Sequence, residues 1–105
     1  MDLLGVRKLA LALPEAVEQD HFGNPSFRVL GRIFATIPDS THLNVMIDPF
    51  DVDAAVRAEP ESCAELLWGK EVRGVRVSLP SASPAMVEEL LRAAWKRKAP
   101  KRLSN

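Results

Sequence analysis

Cys63 is the chain's single cysteine, so no internal disulfide can form and a reducing cytoplasm is the expected setting. With no CxxC neighbour, Cys63 reads as a structural or incidental thiol. Surplus charge is missing too, because fourteen Lys and Arg balance fourteen Asp and Glu. A dedicated DNA binder usually carries a positive excess to neutralise phosphates, and the balance argues against one. No uninterrupted apolar run approaches the roughly 20 residues of a membrane helix. The opening MDLLGVRKLALALP places Arg7 and Lys8 among its apolar residues, unlike the ordered regions of a signal peptide. Neither export nor a membrane partner is expected. Gly23, Gly31, Gly69 and Gly74 are scattered, not grouped as a phosphate-cradling GxGxxG or GxxxxGK loop. A Gly-x-Ser-x-Gly elbow is lacking as well, which removes the usual hydrolase signature.

What remains is a globular composition, 47% hydrophobic and 27% charged over 105 residues. That is the size of one domain, read as residues 1–105 with a short basic tail from about residue 99. The charge balance conceals an asymmetry. Lys96, Arg97, Lys98, Lys101 and Arg102 give residues 96–105 a charge of +5, leaving −5 on the rest. A cationic helix end followed by a solvated tail accounts for this at least as well as a phosphate-binding tail.

Along the chain, Leu3, Val6, Leu9, Ala10 and Leu13 recur at helical spacing, with Asp2 as N-cap and Pro14 as terminator. Residues 16–22 are polar enough for an edge strand, followed by a turn at 23–25. SFRVL and RIFATI flank Gly31 as a hairpin, and residues 42–47 alternate with Leu43, Val45 and Ile47 on one face. Asp48 and Pro49 start a second helix reaching Ala58. CAELLW at 63–68 reads as a helical turn that tucks Leu66, Leu67 and Trp68 onto the core. Residues 72–79 form the last strand, with a bulge at Gly74 reconciling Val72 with Val75 and Val77 and turning Arg73 outward. Ser83 and Pro84 open a final helix whose buried stripe is Val87, Leu90, Leu91, Ala94 and Trp95. The order α-β-β-β-β-α-β-α implies an α+β fold, a largely antiparallel sheet with helices as a second layer.

An open sheet face would show Arg28, Thr36, Asn44, Arg76 and Ser78, with Phe34 and Met46 among them. Arg28, Arg32, Arg73 and Arg76, joined by Lys98, Lys101 and Arg102, are candidate phosphate contacts, since guanidinium groups bind phosphate bidentately. The same arginines could instead pair with acids such as Glu18, Asp20 and Glu71. Phe34, Asn44 and Met46 are candidates for a face that binds a protein partner, a second copy or a small ligand. His21 beside Asp20, and His42, offer acid–base vocabulary without a nucleophile or further ligands, so no catalytic or metal site is assigned. His21 reads as ordering the turn at 23–25.

The blocks LALALPEAV, HFGNPSFRVLGRIFATI, Trp68-Gly69 and AAWKRKAPKRL, in this order over Leu9 to Leu103, resemble the MmcQ/YjbR family. That resemblance implies a CyaY-like α+β fold and a candidate double-wing DNA-binding module, most of whose members have no established activity. Relatives often carry a Gly-Trp pair after the Trp-Gly block. This chain has Lys70-Glu71-Val72-Arg73-Gly74 there, without the second tryptophan. Iron-binding relatives of the CyaY-like fold have an acidic first helix, whereas Asp2 here stands near Arg7 and Lys8, so no cofactor is expected.

Overall fold

Each long helix starts where a side-chain oxygen replaces an absent intrahelical acceptor. In the computed structural model, which describes residues 1–104, Asp2 accepts from the Gly5 amide, Asp48 from Asp51 and Ser83 from Met86. These caps open α1 (Leu3–Leu11), α2 (Pro49–Ala58) and α3 (Pro84–Lys98). Helix α1 stops two residues short of Leu13, because Pro14 disfavours helical geometry immediately before it. A last turn of helix, α4 (Lys101–Ser104), follows Pro100. The tail is therefore not simply solvated: Leu103 and Ala99 pack against the core.

Six antiparallel strands complete the fold: β1 (Ala16–His21), β2 (Asn24–Val29), β3 (Arg32–Thr36), β4 (His42–Val45), β5 (Cys63–Trp68) and β6 (Glu71–Ser78). They lie in the order β1-β2-β3-β4-β6-β5. The expected α+β order holds, with β5 as an additional strand where a helical turn was expected. CAELLW pairs along its whole length with β6, leaving Leu67 and Trp68 exposed rather than in the core. As an edge strand, β5 has no further neighbour to cover them. The first turn also falls earlier than expected, at Phe22 and Gly23, both with positive φ. Two successive positive φ values suit the tight hairpin favoured by strand twist. Asn24 and Pro25 consequently belong to β2, opposite His21 and Asp20.

The helices share one apolar core with one face of the sheet. Val6, Val52, Val87 and Leu91 meet Phe27, Val29, Leu43, Val45, Val75 and Val77, all essentially inaccessible. Burying each of the larger side chains contributes about 1.5–3 kcal/mol. The Trp95 indole N–H donates to the Pro14 carbonyl at 2.9 Å, tying α3 to the end of the α1 segment.

Two register shifts decide what the other face displays. Between β2 and β3, Phe27 faces Ala35 while Arg28 faces Ile33, so Phe34 is an extra residue on β3. Phe34 and Ala35 both turn into the core, fully buried. This corrects the placing of Phe34 on the open face. Between β5 and β6, Leu66 faces Gly74 while Leu67 faces Val72, making Arg73 the extra residue. The bulge expected at Gly74 is present, with Arg73 outward. Gly74 itself lies so close to β4 that a Cβ would collide with the Val45 carbonyl oxygen.

Candidate functional site

A six-stranded sheet laid flat would separate its edge strands by roughly 24 Å, at about 4.8 Å per strand spacing. Here His21, at the end of edge strand β1, lines the same cleft as Trp68, at the end of edge strand β5. The sheet therefore curls, and its two outer hairpins flank a cleft of about 450 Å³. That volume falls within the usual range for small-ligand sites, about 300–1,000 Å³.

The floor is built from the face turned away from the helices. The β2–β3 shift turns Ile33 and Thr36 outward, and the regular alternation of β4 adds Asn44 and Met46. From the β5–β6 hairpin come Leu66, Trp68, Val72 and Arg73. Trp68 is 64% exposed, with the Arg73 guanidinium carbon 4.9 Å from its ring centroid. Such a cation–π contact holds the indole while leaving much of its surface open. The Asn44 Oδ1 is inaccessible and has no protein hydrogen-bond partner, the one such side-chain atom found among the described residues.

The lip is cationic. The C-terminal end of α3 brings Arg97 and Lys98 to the cleft. Arg97 donates to the Met46 carbonyl at 3.4 Å, and Arg32 donates to the Lys98 carbonyl at 3.2 Å. Partial burial lowers the Lys98 pKa from its ordinary value, and the nearby positive charges of Arg97, Arg32 and Arg73 lower it further. No salt bridge among the described residues engages the Lys98 ammonium. The acids close to this lip are Glu71, 3.4 Å from Arg73, and the helix-opening Asp48 and Asp51, which interact with Arg97. The carbonyl end of α3 adds a partial negative charge of its own.

The seven candidate cations thus divide. Arg73 and Lys98 line the cleft, joined there by Arg97, and Arg32 stands outside that lining but beside Lys98, to whose carbonyl it donates. What could have indicated Arg97 is its place on the exposed side of the α3 stripe, one residue before Lys98. Arg28 is turned aside, donating to Ser26 Oγ at 3.1 Å and to the Asp20 backbone carbonyl at 3.4 Å. Arg76 reaches Asp39 at 3.3 Å. Lys101 and Arg102 sit on α4, outside the cleft lining.

Cross-strand pairing with Glu18 and Asp20 does not occur as expected, since Glu18 binds Arg7 and Arg28 meets the Asp20 backbone instead of its carboxylate. The Asp20 carboxylate orders the first hairpin turn by accepting from the Gly23 amide at 3.1 Å. His21, to which that role was given, instead stacks edge-on against the exposed Phe22 ring. His42 lies elsewhere, hydrogen-bonded through Nδ1 to Asp39 at 2.9 Å. Of the interaction-face candidates, Asn44 and Met46 line the cleft and Phe34 does not.

A curled antiparallel sheet with helices on one face and a cation-lipped cleft on the other defines a small α+β domain with a built concave site. The chain belongs to the YjbR family, whose model matches residues 11–97. It is also similar to the crystal structure of the Deinococcus radiodurans protein DR2400, assigned to the domain family DUF419. The TM-score is 0.73 at 25% identity, over 88% of this chain and 74% of that one. No curated protein matches the chain.

Proposed function

We propose that this protein is a non-catalytic, cytoplasmic nucleic-acid-binding module, possessing one local phosphate-binding lip rather than a broad basic face. The observation that carries the reading is the convergence of Arg32, Arg73 and Arg97 on a half-buried Lys98. Like charges gathered this closely repel one another, and an anion bound between them relieves that repulsion. The cluster borders an apolar cleft with an accessible indole, which suits a ligand joining phosphate to a planar ring.

Fluorescence anisotropy of labelled single-stranded and duplex DNA, with a salt titration, tests this reading. Micromolar binding that weakens with salt and falls at least fivefold in Lys98→Glu and Arg73→Glu supports it. Retained affinity in both variants, or no binding at low salt, overturns it. A second reading, a protein-partner or small-ligand face, draws on the exposed Phe22, Leu67 and Trp68 side chains near the hairpin tips. It predicts that Met46→Asp changes self-association measured by sedimentation, or ligand binding, while the domain stays folded.

A further inference from the structure

The cleft has more chemistry than a phosphate contact requires. Beyond the cationic lip lie the apolar surfaces of Ile33, Met46 and Val72, with the Trp68 ring at one side. At strand register, Thr36 and Asn44 stand opposite each other across β3 and β4, and both line the same cleft. A volume of about 450 Å³ accommodates a ring with its sugar, but a DNA duplex is far wider than the cleft. A duplex also hides the ring faces that the indole and apolar floor would contact.

Resting on the nucleic-acid reading, we propose that the cleft seats one unpaired nucleotide of a single strand. Its base lies against the apolar floor and Trp68, and the phosphates of that nucleotide and its neighbours rest on Lys98, Arg97 and Arg73, with Arg32 adding its charge beside Lys98. Stacking on the indole and filling the floor are sequence-tolerant because every base has an apolar face. Strand recognition thereby becomes a property of the cleft, while the lip alone contributes only electrostatic attraction shared by any polyphosphate.

The test compares three labelled 12-mers at one ionic strength: an intact single strand, an abasic strand of equal charge, and a duplex. The proposal predicts that the intact strand binds about tenfold more tightly than either of the others, the magnitude expected from one stacked base. Trp68→Ala should remove most of that preference, whereas Lys98→Glu should weaken all three ligands. Circular dichroism of each variant checks that it is folded. Equal affinity for intact and abasic strands overturns base seating while leaving phosphate binding intact. Absence of binding to all three overturns both readings together. A mononucleotide that binds as tightly as the intact strand assigns the cleft to free nucleotides and overturns the strand proposal.

Discussion

Asp39 shows how a single exposed carboxylate can organise a loop. It accepts from the Thr41 amide at 2.9 Å, from His42 Nδ1 at 2.9 Å and from Arg76 at 3.3 Å. The Thr41 and His42 contacts hold its pKa at about 2, below the ordinary 3.8, with the Thr41 amide the largest cause and His42 next. A carboxyl group depressed in the folded state stabilises the fold above its unfolded pKa and loses that contribution as pH falls through the folded one. Asp39→Asn is therefore expected to lower the melting temperature at pH 6. The difference from the parent should shrink between about pH 4 and pH 2, as thermal melts across that range would show. A constant difference down to pH 2 would mean that the carboxylate charge contributes nothing. Asn44 makes the opposite case. Its unpartnered oxygen has no stabilising role in the unliganded fold, and Asn44→Val supplies a better strand former. Relieving that oxygen should leave stability unchanged or raise it by about 1 kcal/mol, measured by urea denaturation. A clear loss would show that the Asn44 amide is structurally required.

At the scale of elements, Gly74 sets how closely β6 approaches β4. Because a Cβ there would meet backbone rather than a movable side chain, Gly74→Ala must push the two strands apart. The expected cost is about 3 kcal/mol, the upper part of the usual overpacking range, and chemical denaturation would reveal it. A loss below about 0.5 kcal/mol would show that the sheet can yield there. This bulge was legible in the sequence because Val72 and Val75 disagree in parity, and the glycine between them marks where the ladder could take up an extra residue. The helices were legible for a similarly local reason: Asp2, Asp48 and Ser83 precede apolar stripes at helical spacing, and all three cap. Strand β5 was not, since CAELLW places two leucines and a tryptophan in succession, a run that fits a helical turn as well as a strand. Its identity is decided by pairing with β6, which is a tertiary fact. Phe34 was misplaced for a related reason. RIFATI alternates cleanly only if no residue is added, and the extra residue is specified by its pairing with β2. The cleft was half visible: Thr36, Asn44 and Met46 follow from strand alternation, but the meeting of Arg32, Arg73, Arg97 and Lys98 depends on sheet curl and on where α3 ends.

For the whole molecule, the distribution of charge matters more than its sum. The +5 of residues 96–105 faces −5 on the rest of a neutral chain, yet folding recruits Arg32 and Arg73 from the acidic part to the cationic lip. A single strand seated on the lip engages those cations alone, so its attraction should be confined to one small region. Counterion release then bounds the number of phosphates neutralised. With three or four phosphates on the lip, the logarithm of affinity for a single strand should fall with log salt at a slope of about −2 to −3. Lys98→Glu and Arg73→Glu should each make that slope shallower by about one. Arg76→Glu should leave it unchanged, because that guanidinium is already engaged by Asp39 outside the cleft. Anisotropy titrations at four or five salt concentrations would measure all of these slopes. A parent slope steeper than about −5, or a response to Arg76→Glu equal to that of Lys98→Glu, would mean that phosphate contacts spread over α4 and the outer strands. Binding would then belong to the molecule's basic surface at large, and the localised lip would no longer explain it.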